Sequence, residues 1–168
     1  IHAKVGDWLE EMAIANTRTE QAFAQFWKMA DLLALDTIEK YRDHATDEGA
    51  MVSAMLASLP ACADIFVSSS MPIRDIDTFL TTERKDLQVF ANRGTNGIDG
   101  VMTTALGFSK GRPARKAYIL IGDLAFLHDV NAFIATRYQI CDVTVVVMNN
   151  DGGGIFSYLP QSSVDAHY

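Results

Sequence analysis

Residues 117–154, AYILIGDLAFLHDVNAFIATRYQICDVTVVVMNNDGGG, decide the fold. Ala117 to Ile121 is an apolar run of strand length, ended by Gly122-Asp123. Residues 125–138 carry helical spacing. Val143 to Met148 is a second unbroken apolar run, followed by the polar, glycine-rich NNDGGG. A strand without polar alternation needs a sheet covered on both faces, and a helix between two such strands is the crossover that joins parallel neighbours. The stretch therefore predicts a right-handed β–α–β unit whose two post-strand strings share one rim.

The same grammar extends upstream. Asp64 to Val67 reads as a short strand, followed by Ser68-Ser69-Ser70. Pro72 then opens a helix to about Leu80, because proline is tolerated in a first turn. Leu87 to Ala91 is another strand, trailed by NRGTNGIDG at 92–100 and a helix over about Ile98 to Ser109. The basic loop 110–116 reads as a solvated connection. Residues 48–58 form a helix stopped by Pro60. Residues 1 to about 45 read as two helices broken near Asn16-Thr17, with Phe23, Phe26, Trp27, Ala30 and Leu33 as a packing stripe. The expected fold class is α/β: an open, mostly parallel sheet flanked by helices. The expected organisation is a helical lead-in over 1–45 and an α/β domain over 46–168.

Composition narrows the function classes. With 168 residues, 49% hydrophobic and 21% charged, the chain is long enough for one real core and is not of disordered composition. Its 14 basic against 21 acidic residues, a net charge of -7, argue against a nucleic-acid or anionic-membrane surface. No apolar run reaches the roughly 18 residues of a membrane span. Cys62 and Cys141 stand in no metal or redox spacing and read as small core or near-core residues, with the cytoplasm as the default compartment.

In an open parallel sheet, the strings SSSMP, NRGTNG, GDL and NNDGGG all fall at strand carboxyl ends, where ligands bind. Asp123 and Asn150 are 27 residues apart, the length of one strand end, helix and next strand. On neighbouring strands, a carboxylate, an amide oxygen and a backbone carbonyl near Gly152 supply three oxygens to a hard cation such as Mg2+, with diphosphate oxygens and water completing six. Gly152-Gly153-Gly154 permits close backbone approach. On spacing alone, Asp, Asn and Gly are equally ordinary turn residues. Arg74 is open to an ion pair with Asp75 or Asp77, Ser70 to a helix-capping role, and Ile155 and Phe156 to the core. His128 reads as a solvated or packed histidine.

These strings carry a resemblance. Gly-Asp followed 24–28 residues later by Asn-Asn resembles the diphosphate and Mg2+ motif of thiamine-diphosphate enzymes. More specifically, SSSMPIRDID at 68–77, NRGTNGIDG at 92–100, GDLAFLHDVN at 122–131 and NNDGGGIFSYLP at 149–160 resemble the 2-succinyl-5-enolpyruvyl-6-hydroxy-3-cyclohexene-1-carboxylate synthase family of menaquinone biosynthesis. The resemblance covers about residues 46–161. It implies a thiamine-diphosphate-dependent transferase that decarboxylates 2-oxoglutarate and adds the four-carbon product to isochorismate.

The resemblance also implies the site. Asp123, Asn150 and the Gly152 carbonyl hold Mg2+, with Mn2+ as a substitute. Gly122, Asp123, Leu124, Ala125, Asn150, Gly152, Gly153 and Ile155 contact the cofactor, and Ile98 is the bulky apolar residue beneath it. Ala125 stands where serine is frequent in the wider family, leaving backbone amides for the diphosphate. Ser70, Arg74 and Arg93 match substrate-side positions, and the planar guanidinium of the two arginines suits the carboxylates of both substrates. Ile155, Phe156 and Leu159 form an apolar wall. The activating glutamate belongs to a separate pyrimidine-binding domain, supplied by a second subunit of a homodimer or homotetramer, so no catalytic acid is expected in this chain. The family's domain also runs further. The chain is thus expected to be a C-terminally incomplete diphosphate-binding domain, inactive alone. The alternatives are another thiamine-diphosphate 2-oxo-acid decarboxylase or a non-catalytic, flavodoxin-like nucleotide-binding domain.

Overall fold

The structure, a computed structural model, describes residues 21–42, 46–81, 84–92, 97–138 and 141–163. It divides into two units, Ile1–His44 and Ala45–Tyr168. In the first, helix α1 runs over Gln21–Arg42. Of its expected packing stripe, Phe23, Phe26, Trp27 and Leu33 are exposed and Ala30 is half-buried. The rings pack along the helix instead, with Trp27 edge-on to Phe23 and Phe26 at 6.2 and 5.9 Å. The helix expected before Asn16 lies outside the described residues.

The second unit opens with α2, Glu48–Ser58. Asp47 caps it by accepting from the Ala50 amide at 3.0 Å. The chain leaves the helix at Leu59, as the following proline requires. Strand β1 is Asp64–Val67, α3 is Met71–Phe79 with proline in its first turn, and β2 is Gln88–Ala91. Helix α4 is Val101–Gly111, β3 is Ala117–Gly122, α5 is Asp123–His128 and β4 is Val143–Met148. The four strands pair in parallel in the order β2-β1-β3-β4. The chain thus runs outward from β1 to β2, then returns past β1 to β3 and β4. That reversal between β1 and β3 opens the crevice in which open α/β sheets bind ligands.

Side chains alternate across the sheet into two cores. Ile65, Val67 and Leu120 join Val52, Leu56 and Ile76 on one face. Phe66, Ile119 and Ile121 join Val101, Met102, Ala105 and Leu106 on the other. Each fully buried aliphatic side chain contributes about 1.5–3 kcal/mol, so helices on both faces hold β1 and β3 at the centre.

Several local expectations change. Helix α4 starts at Val101 rather than Ile98, because Gly100 adopts φ 68° and sits outside the helix as its N-cap. The helix expected over 125–138 is broken. Asp129 leaves it to accept from the Thr103 amide at 2.8 Å and hydroxyl at 3.2 Å. A 3-10 turn at Val130–Ala132 and a short helix, α6, at Phe133–Thr136 follow. Strand β4 is not covered on both faces. It lies at the edge of the described sheet, and Val147 is 38% exposed.

The basic loop is not simply solvated. Arg112 and Arg115 converge on the buried Asp64 carboxylate, Arg112 at 2.6 Å, while Arg115 also donates to the Ala63 and Asp86 carbonyls. The Arg112 guanidinium lies over Phe90 and Phe108 as well. Cys62 is exposed in a turn at φ 61°, with its amide donating to Asp86, and Cys141 is half-buried; both thiols are free.

Candidate cofactor site at the strand carboxyl ends

The switch point holds a cavity of about 220 Å3. Ser69, Ser70, Met71 and Pro72 reach it from the end of β1, and Gly122, Asp123, Leu124 and Ala125 from the end of β3. Met148, Asn150, Gly153, Gly154, Ile155 and Phe156 come from β4 and the loop after it, while Ile98 and Glu48 close it from further off. A larger cleft of about 420 Å3, between Thr103, Lys110, Asp129 and Cys141, has no strand end in its lining. The smaller one is the chemically equipped site.

Asp123 is the first residue of α5, directly after Gly122 closes β3. Gly122 pairs in register with Met148, two residues before Asn150, so both polar side chains leave adjacent strand ends. One Asp123 oxygen accepts from the Leu124 amide at 2.7 Å. The Asn150 amide nitrogen donates to a Glu48 carboxylate oxygen at 2.6 Å, which leaves the amide oxygen for another partner. Among the described residues no three His, Cys, Asp or Glu side chains form a metal cluster. The donors that do converge are one carboxylate and one amide oxygen beside a glycine-rich loop, a set that suits a hard cation sharing its shell with ligand oxygens.

The loop after β4 uses its glycines. Asp151, Gly152 and Gly153 all have positive φ, at 65°, 83° and 67°, and Gly153 then starts a 3-10 turn over Gly154–Tyr158. Gly152 lines a neighbouring cleft with Asp123, Leu124 and Asn149 rather than the central cavity. A side chain at Gly154 would collide with the Asn150 amide.

On the β1 side, Ser70 has φ 76°, a strained conformation for a non-glycine residue and one that clusters at functional sites. It stands at the N-cap of α3 but makes no side-chain capping bond, so its hydroxyl is not used as the sequence allowed. Arg74 is exposed and donates to the Ser70 carbonyl at 2.6 Å; it does not line the cavity. Leu159 is likewise outside the cavity, and 42% exposed. Arg93 lies outside the described residues. His128 is exposed, away from this lining.

Sequence reasoning missed Glu48, whose partner is 102 residues away, and Met71, Pro72 and Met148, which supply apolar lining. It also missed Asp75. This carboxyl is buried, one of its oxygens has no hydrogen-bond partner, and its pKa is raised to about 6. Burial is the main cause, with the negative charges of Glu48 and Asp47 adding to it and Arg74 opposing.

Comparison with known proteins identifies the family. Residues 77–167 match the family described as thiamine pyrophosphate enzyme, C-terminal TPP binding domain. The whole chain is 61% identical over 168 residues to a 2-succinyl-5-enolpyruvyl-6-hydroxy-3-cyclohexene-1-carboxylate synthase of Lysinibacillus sphaericus (strain C3-41), of which it covers 29%. Proteins of the same name from Staphylococcus haemolyticus (strain JCSC1435) and Chloroflexus aurantiacus are 42% and 43% identical over 95% and 90% of the chain. The chain spans under a third of the length of these curated relatives, at 29%, 27% and 26%.

Proposed function

The chain belongs to the thiamine pyrophosphate enzymes, through their C-terminal TPP binding domain, and from that premise we propose that it is the diphosphate- and Mg2+-binding part of a carboligase that decarboxylates 2-oxoglutarate and joins the four-carbon product to isochorismate in menaquinone biosynthesis. The observation that carries the reading is the meeting of Asp123 and Asn150 in one cavity from the adjacent ends of β3 and β4. The substrates are taken from the relatives' shared name and the family resemblance.

The residues present fit the cofactor's charged end. Asp123, the Asn150 amide oxygen and the Gly152 carbonyl are the proposed Mg2+ ligands, with Mn2+ as a substitute. Backbone groups of Gly122, Leu124, Ala125 and Gly153 are the proposed diphosphate contacts. At about 220 Å3 the cavity is smaller than the roughly 300–1,000 Å3 that enclose a drug-sized ligand. This favours seating one end of thiamine diphosphate here, with the remainder against a second surface. Ile98 and Ile155 supply apolar contact to the seated part. Bound, the cofactor supplies the electron sink for decarboxylation and carbon–carbon bond formation; the protein holds it, orients it and keeps water away.

Substrate recognition falls to Ser70, Arg74 and Arg93, with Phe156 and Leu159 as an apolar wall. For Arg74 this means exchanging the Ser70 carbonyl for a substrate carboxylate, a charged and therefore stronger acceptor. The activating carboxylate comes from a pyrimidine-binding domain, contributed by a second subunit of a homodimer or homotetramer. The proposed compartment is the cytoplasm; among the described residues no helix is long and apolar enough to cross a membrane. Residues 1–45 are proposed as a helical lead-in and 46–168 as part of the cofactor domain.

Calorimetry tests the reading in the intact protein. Thiamine diphosphate with Mg2+ is expected to bind and ADP with Mg2+ not to compete. Preference for ADP would favour a nucleotide-binding domain and sink the proposal.

A further inference from the structure

Glu48 and Asn150 are 102 residues apart, yet their side chains meet. Glu48 begins α2, directly after the Asp47 cap, so its carboxylate is held at the mouth of a helix anchored by buried Val52 and Leu56. The Asn150 amide nitrogen donates to Glu48 Oε1 at 2.6 Å. A side-chain amide has two ends of similar shape and opposite polarity, and a carboxylate accepts hydrogen bonds only. Glu48 therefore selects one of the two flips of Asn150: nitrogen toward α2, oxygen away from it.

Gly154 secures the same seat from the other side. A Cβ built on it would overlap the Asn150 amide nitrogen and lie 2.9 Å from Cγ, so the amide occupies space that only glycine leaves free. The side chain is thus fixed by a polar partner and by a steric slot, and Glu48 lines the same cavity as Asp123 and Asn150.

We propose that Glu48 is a positioning residue that presents the Asn150 amide oxygen to the divalent cation of the diphosphate site. The inference rests on the proposed reading of Asp123 and Asn150 as cation ligands. Glu48 itself does not ligate the ion. It fixes the orientation of the residue that does, as outer partners of metal ligands do, and their loss costs about ten- to hundredfold in metal affinity.

The test is Mn2+ binding to the intact protein, followed by electron paramagnetic resonance with thiamine diphosphate present and no substrate, with the melting temperature of each metal-free variant recorded alongside. Glu48→Ala is expected to weaken Mn2+ binding by about ten- to hundredfold. Glu48→Gln keeps a carbonyl that accepts from Asn150 and is expected to stay within about threefold of the parent. That rescue separates orientation from bulk structure or net charge. Gly154→Ala leaves Glu48 intact, pushes the amide from its slot and is expected to match Glu48→Ala; it carries the test should Glu48→Ala not fold.

Asp123→Asn serves as the reference. If it abolishes Mn2+ binding while Glu48→Ala and Gly154→Ala leave it unchanged, the positioning role is overturned and the site reading stands. Equal losses in Glu48→Ala and Glu48→Gln also overturn it, because charge rather than orientation would be at work. If Asp123→Asn itself leaves Mn2+ binding unchanged, the site reading fails and this inference goes with it.

Discussion

At the scale of single residues, Asp75 shows how burial and neighbouring charge act together. Its folded pKa, about 6, lies above the ordinary carboxyl value of 3.8. The unfolded chain therefore releases this proton first as pH rises. Stability relative to the unfolded state declines between about pH 4 and 6, and the penalty is complete above 6. Two pK units correspond to about 2–3 kcal/mol. Asp75→Asn removes the ionisation, so the slope of unfolding free energy between pH 4 and 6 should flatten and stability at pH 7 should rise. Urea titrations across that range measure both, and an unchanged slope would show that Asp75 ionises freely in the folded protein.

Arg74 makes a second prediction at this scale. Lysine in its place keeps the charge but loses the planar fork. On the proposed reading, Arg74→Lys in the intact protein raises KM for a dicarboxylate substrate by about ten- to a hundredfold, the equivalent of one charged hydrogen bond. Steady-state kinetics check it, and unchanged KM values for both substrates would remove Arg74 from substrate recognition. Residues of this kind divide clearly in how legible they are. Asp123 and Asn150 stand out in the sequence because each follows an apolar strand and the interval between them fits one helix and one strand. Glu48 and Asp75 do not, because their significance arises only when α2, α3 and the loop after β4 meet in space.

At the scale of elements, unbroken apolar runs identify strands well when both faces are covered, as in β1, whose four residues are all buried. They overstate coverage at an edge, where β4 is a Val-rich run but leaves Val147 exposed. Helix limits depend on single contacts that no periodicity contains. Asp129 ends α5 by bonding to Thr103 on another helix, and Gly100 delays α4 through its positive φ.

The Asp64 cluster is another such contact. Its carboxyl is buried, which alone would raise its pKa, but the hydrogen bonds and charges of Arg112 and Arg115 overcome this and hold it below the usual value. The group contributes stability above its unfolded pKa, and that contribution is lost as pH falls through the lower folded one. Asp64→Asn leaves two guanidinium groups facing a neutral amide at the start of β1. Breaking such a pair is expected to destabilise by roughly 3 kcal/mol, and the acid limb of the stability profile should lose its Asp64 component. Chemical denaturation at pH 7 and pH 3 measures both. A loss under about 0.5 kcal/mol, the size of an ordinary surface change, would mean the cluster is solvated after all.

At the scale of the whole molecule, the site is built on one side only. Asp123 and Asn150 reach it from the ends of β3 and β4, but Leu124 and Phe156 on its rim are 50% and 63% exposed, and Leu127 on the adjoining cleft is 64% exposed. Apolar side chains grouped in this way mark a surface that gains by being covered. The proposed chemistry would need the same cover, since a site closed to water is protected from unwanted proton transfer. The two described acids that line the cavity are also committed elsewhere on the proposed reading: Asp123 to the cation and Glu48 to Asn150. Neither is left to activate the distant ring of the cofactor, and geometry precedes pKa in judging such a group. Residues 1–168 alone are therefore expected to bind thiamine diphosphate with Mg2+ weakly and to release no carbon dioxide from 2-oxoglutarate above the free-cofactor background. Adding a separately prepared pyrimidine-binding domain should restore release. Following carbon dioxide with and without that domain decides the matter. Turnover by the isolated chain would mean that an activating carboxylate resides within it, and the division of labour proposed between the two domains would be wrong.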